Sequence, residues 1–144
     1  MRVAETVGAN ARARNVLRTM PRRELMDILA GQNVDPLFVE AALEADPRMV
    51  FCAAVDRNGY LPTHNHKYSH PQGPDPVWNS ANCRNRRIFN DRTGLSAGRS
   101  TRPFLLQTYR RDMGGGHFVL MKDVSAPIMV HGRHWGGLRI GFKA

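Results

Sequence analysis

Residues 49–55, Met-Val-Phe-Cys-Ala-Ala-Val, form an almost unbroken apolar run between Pro47 and the polar stretch Asp56-Arg57-Asn58-Gly59. A run this short, holding Val and Phe and closed by turn residues at both ends, predicts a strand buried on both faces. Asn58-Gly59 supplies the positive φ values of a tight turn, so Tyr60-Leu61-Pro62-Thr63-His64 reads as the returning strand of a hairpin. Pro62 has no N–H to give to a ladder, which places that second strand on a sheet edge. The stretch that follows, Asn65-His66-Lys67-Tyr68-Ser69-His70, is polar throughout and suits a mouth facing a ligand or a partner.

The rest of the chain is read outward from this hairpin. Residues 3–29 read as helix with one break at Thr19-Met20-Pro21, and Gly31 stops the pattern. Asp35-Pro36 is an N-cap and first-turn pair, after which Leu37, Phe38, Ala41, Ala42 and Ala45 line one helical face. Beyond the hairpin, residues 65–102 are rich in Pro, Asn, Gly and Arg, and short helices are expected at 79–89 and 91–97. This insert is the natural cap of a pocket. Strands are then expected at 104–110, at 117–130 after a turn at Met113-Gly114-Gly115-Gly116, and at 134–142.

With 144 residues and 42% of them hydrophobic, the chain has material for one domain with a proper core. The formal charge of +9 attracts nucleic acid, an anionic surface or an acidic ligand, without choosing among them. Cys52 and Cys83 make neither a CxxC nor a zinc spacing, so a reducing compartment is expected. No stretch reaches the length of a membrane span, and charges at Arg2, Glu5, Arg12 and Arg14 break any signal-peptide block. The expectation is a cytoplasmic chain with no membrane insertion.

Four blocks of sequence carry a resemblance. They are Asp56-Arg57-Asn58-Gly59-Tyr60-Leu61-Pro62-Thr63-His64-Asn65, then Arg87-Ile88-Phe89-Asn90-Asp91-Arg92-Thr93-Gly94-Leu95, then Phe104-Leu105-Leu106-Gln107-Thr108-Tyr109-Arg110-Arg111-Asp112, and finally Gly132-Arg133-His134-Trp135-Gly136-Gly137. In that order they closely resemble a Cache/PAS-like sensory module found at the cytoplasmic C-terminal end of bacterial methyl-accepting chemotaxis proteins. The resemblance spans residues 46–143 and leaves out 1–34; it departs at His66 and His70, where the similar sequences tend to carry Arg and Gln. The expected fold is therefore a single α+β PAS/Cache-like domain over residues 35–144. It would hold a five-stranded antiparallel sheet of order 2-1-5-4-3, N-terminal helices, and a helical insert between strands 2 and 3. Residues 1–34 would be a helical linker on which a homodimer is built, because Val7, Ala11, Val16, Leu25, Ile28 and Leu29 have no other core to enter. The function that the resemblance implies is chemotaxis-type signal transduction: a ligand is sensed and the change passes to a chemoreceptor signalling domain in cis or in trans.

The candidate ligand-binding residues follow from this layout. Trp135 begins the last strand, Tyr109 ends the third, Arg87 and Arg92 sit on the covering insert, and His64, Asn65 and Tyr68 close the mouth. Aromatic walls with one or two guanidinium groups suit a small anionic or planar molecule. Arg84, Arg86, Arg99 and Arg102 crowd the same insert, as a solvated basic face or as further clamps. His64 or His134 is an alternative axial ligand for haem b, making a redox or gas sensor, while the absence of CxxCH excludes covalent c-type haem. A basic nucleic-acid-binding domain is the other alternative, supported by charge alone, since no helix-turn-helix, RNP-like strand or zinc finger is present. No GxSxG, HExxH or phosphate-cradling loop appears, so no enzyme is expected.

Overall fold

The computed structural model describes Val39, Glu40, Leu43, Glu44 and residues 46–144. The expected N-terminal helical segment and the dimer built on it lie outside the described residues. In chain order the elements are β1 (Met49–Asp56), β2 (Tyr60–Leu61), a 3₁₀ turn (His66–Tyr68), α1 (Pro76–Asn82), β3 (Arg87–Ile88), α2 (Arg92–Arg99), β4 (Leu105–Asp112), β5 (Phe118–Val130) and β6 (Arg133–Lys143). Four strands form one antiparallel sheet of order β1-β6-β5-β4, and β2 pairs with β3 in a separate two-stranded sheet.

This overturns the five-stranded sheet of order 2-1-5-4-3. The described residues are mostly β, with six strands in two sheets, and β1 is an edge of the larger sheet where it was expected at the centre. The reason lies in the turn after β1. Asp56 Oδ1 accepts the N–H groups of Asn58 (2.8 Å) and Tyr60 (2.9 Å), so a side chain bends the chain away where a hairpin ladder was expected. Gly59, at φ +82°, completes the turn. The insert then captures the departing segment: Phe89 N–H donates to Gly59 O (2.8 Å) and Arg86 N–H to Leu61 O (2.8 Å). Pro62, with no N–H to offer, ends β2 after two residues.

The insert is shorter in helix than the sequence pattern implies. α1 begins after Asp75, whose carboxylate accepts Val77 N–H, and ends at Asn82, so Arg87 and Ile88 are free to extend as β3. Asp91 caps α2, and that helix lies directly on the larger sheet. A Cβ at Gly98 would come within 2.2 Å of Asp56 O, and one at Gly137 within 2.3 Å of Ala97 O. Only hydrogen at these two positions lets helix backbone meet strand backbone.

Alternation along the strands divides the sheet. One face carries Phe51, Ala53, Met121, Tyr109 and Val119, joined by Leu61 and Phe89 from the smaller sheet's side. The other carries Cys52, Ala54, Val124, Leu138 and Ile140, all buried. Since α2 covers only part of the first face, its remainder stands under the β2–β3 sheet and the end of the insert. Among the described residues no helix is long and apolar enough to cross a membrane.

Candidate functional site

In β4 the side chains of Leu105, Gln107, Tyr109 and Arg111 turn inward while their neighbours are exposed. Register brings Tyr109 opposite Met121 and Arg111 opposite Val119, while Arg139 on β6 lies between Ala53 and Ser125. Phe51 of β1, His64 from the exit of β2, and Arg84, Arg87 and Phe89 from the insert close over these residues. Together they line a cavity of about 460 Å³.

Aromatic rings set the four guanidinium groups in place. Arg84 and Arg87 each stand 5.1 Å from the Phe89 ring centre, and Arg111 stands 5.0 Å from Phe51 and 4.5 Å from Tyr68. Arg84 Nη1 also donates to Ser80 O (2.7 Å) and Asp112 O (2.8 Å). Arg139 Nε donates to Asp123 Oδ2 at 2.8 Å, and both residues are buried. The other three meet no carboxylate among the described residues. Arg111 is 4% exposed, its Nη1 makes only a long 3.5 Å contact to Tyr68 Oη, and its Nη2 is buried with no partner.

Such crowding of cations shows in their acidities. Burial, and then Arg111 and Arg87, bring Arg84 down to about 10. Burial opposes the Arg139 charge, but Asp123 and Tyr109 outweigh it and Arg139 holds its proton more firmly than usual. The Tyr109 phenol is pushed up, chiefly by burial. His64 is held well below 6.5 by burial, with Arg111, Arg84 and Arg139 adding to it, so the ring is neutral. Its Nδ1 accepts Asn65 N–H at 2.8 Å, which assigns the ring proton to Nε2.

That tautomer bears on the haem alternative. An axial ligand offers an unprotonated ring nitrogen, whereas His64 uses its one acceptor on the backbone and is flanked edge-on by Phe51 (5.7 Å) and Tyr68 (4.9 Å). His64 therefore does not fit haem. His134 is half-buried on β6 and lines no part of this cavity. No group of three or more metal-ligating side chains occurs among the described residues.

Of the residues expected at the site, His64, Arg87 and Tyr109 line the cavity. Asn65 is structural instead: its Oδ1 accepts Cys52 N–H and its Nδ2 donates to Val39 O. Tyr68 stands behind the wall, touching Arg111 and His64 while its hydroxyl donates to Val50 O. Arg92 is exposed on the first turn of α2, because Thr93, Gly94, Ala97 and Gly98 take the sheet-facing side. Trp135 lies four residues from Arg139, about 13 Å along an extended strand, beyond the reach of the cavity. Arg111, Arg139 and Phe51 were not anticipated as site residues. A signal was there for two of them, since Arg111 shares the face of Tyr109 by alternation and Arg139 interrupts the otherwise apolar run 138–140. No family model and no curated protein matches the chain.

Proposed function

We propose that the chain is a non-catalytic ligand-sensing module that binds a small anionic molecule in the arginine-lined cavity. Arg111 carries this reading: a guanidinium buried to 4% exposure, with Nη2 unpartnered, needs an anion to offset its desolvation. Phe51, Phe89 and Tyr109 hold the surroundings apolar, which strengthens each charge-assisted hydrogen bond the ligand accepts. His64, neutral and protonated at Nε2, adds a donor without adding charge.

The sensing role rests on the four blocks that resemble the chemoreceptor module, and the arrangement of the site is consistent with it. Of the lining arginines, Arg84 and Arg87 stand on the insert and Arg110, Arg111 and Arg139 on the sheet, so a ligand bound between the two groups pulls the insert toward the sheet. The partner that receives this change is a chemoreceptor signalling domain, in cis or in trans, acting on a homodimer. A thermal-shift screen of organic acids, amino acids and purines tests the reading. Acids should raise the melting temperature with concentration, and Arg87→Ala or Arg111→Gln should remove the effect. Stabilisation by uncharged compounds alone, or acid hits untouched by both substitutions, would refute it.

A further inference from the structure

The cavity's charges do not balance, and the size of the imbalance is informative. Three arginines on its lining, Arg84, Arg111 and Arg139, are buried, while Arg87 is half-buried and Arg110 is exposed. Two acids, Asp91 and Asp112, share that lining but are exposed to water. Asp123 is buried behind Arg139, so three buried cations against one buried carboxylate leave a surplus of two positive charges.

The acids on the lining are also engaged elsewhere. Asp91 caps α2 through Thr93 N–H (3.2 Å) and Gly94 N–H (3.4 Å), and Asp112 Oδ1 accepts Gly114 N–H (2.8 Å). Neither forms an ion pair with Arg84, Arg87 or Arg111 among the described residues. Arg84, Arg111 and Arg139 are 7%, 4% and 5% exposed, so water reaches them poorly. A monoanion would neutralise half of the surplus and leave a buried cation facing nothing.

We infer that the cavity takes a small dianion, a dicarboxylate or a phosphate monoester, with one negative group on Arg111 and the rest of its charge on Arg84 and Arg87. This rests on the anion-binding reading and narrows it. Two separated carboxylates span the sheet arginine and the insert arginines from both ends; a phosphate presents its oxygens to both from one centre.

Paired probes of near-equal shape test the charge requirement by calorimetry on the full chain at pH 8, where phosphate monoesters carry two charges. Succinate is compared with succinamate, terephthalate with benzoate, and methyl phosphate with dimethyl phosphate. In at least one pair the dianion should bind about tenfold or more tightly than its partner, one charge-assisted hydrogen bond being worth that much. Which pair responds separates the dicarboxylate from the phosphate. Arg111→Gln and the half-buried Arg87→Ala should each shrink that ratio toward one, and circular dichroism confirms that both variants fold. If monoanion and dianion bind alike, the inference is overturned and the anion site stands. If no anion binds, both fall together.

Discussion

Arg111 and Arg139 occupy the same sheet face and are both buried, yet only Arg139 has a carboxylate beside it. Removing the two should therefore give different results. Arg139→Met strands Asp123 as a lone buried charge, with its Oδ1 already unpartnered, and should cost about 3–5 kcal/mol in urea denaturation. Arg111→Met removes a cation with no counter-charge and should cost less than about 1 kcal/mol or increase stability, despite its contacts to Phe51 and Tyr68. Equal losses would contradict the assignment of Arg111 as the unneutralised group. His64 gives a second test. The unfolded chain takes up a proton near 6.5 and the folded chain only well below it, so the stability His64 contributes is complete above 6.5 and lost as pH falls. One proton corresponds to about 1.4 kcal/mol per pH unit. Comparing wild type with His64→Gln between pH 7.5 and 5, the stability advantage of wild type should narrow on acidification; a constant gap would show that His64 is not held neutral.

Among the elements, α2 decides where the cavity can be. Its Gly98 meets the backbone of β1 and Gly137 of β6 meets the helix backbone at Ala97, and the covering by α2 stops short of Arg139 and Phe51, leaving that part of the face open. Gly98→Ala places a methyl group 2.2 Å from Asp56 O, and neither backbone can yield without moving the helix. A loss of about 1–3 kcal/mol is expected, with weaker anion binding as α2 and its Asp91 cap shift. Gly73→Ala, where nothing lies within 4 Å of the new methyl, should change stability by less than about 0.5 kcal/mol and serves as the control. Comparable losses at both positions would mean that α2 does not pack as described.

For the whole molecule, a bound dianion is part of the stability. At a concentration one hundred times its Kd it should add about 2.7 kcal/mol, which for a chain of this size raises the melting temperature by roughly 5–10 °C. Salt distinguishes this site from the general attraction of a chain carrying +9. Association with duplex DNA through exposed Lys and Arg should be weak, indifferent to sequence, and largely lost by about 0.2 M salt. Cavity binding should persist there, because buried charges are screened much less than exposed ones. Sequence-selective DNA binding that survives this salt would instead favour the nucleic-acid alternative.

Local chemistry alone made several elements legible. The apolar run at 49–55 is β1, extended by one residue to Asp56. The short helix expected at 91–97 is α2, shifted to Arg92–Arg99, and the glycine turn at 113–116 joins β4 to β5. Each depends on residues close together in the chain. Architecture did not follow, because the choice between pairing β2 with β1 or with β3 turns on Asp56 Oδ1 taking Tyr60 N–H and on Gly59 meeting Phe89, thirty residues away in sequence. The site was legible only in part for the same reason. Sequence placed His64, Arg87 and Tyr109 at a pocket and expected anions there, but an arginine reads as a solvated cation until its neighbours are known. Burial on a shared sheet face gives Arg139 a counter-charge and leaves Arg111 without one, and only the tertiary register brings them there.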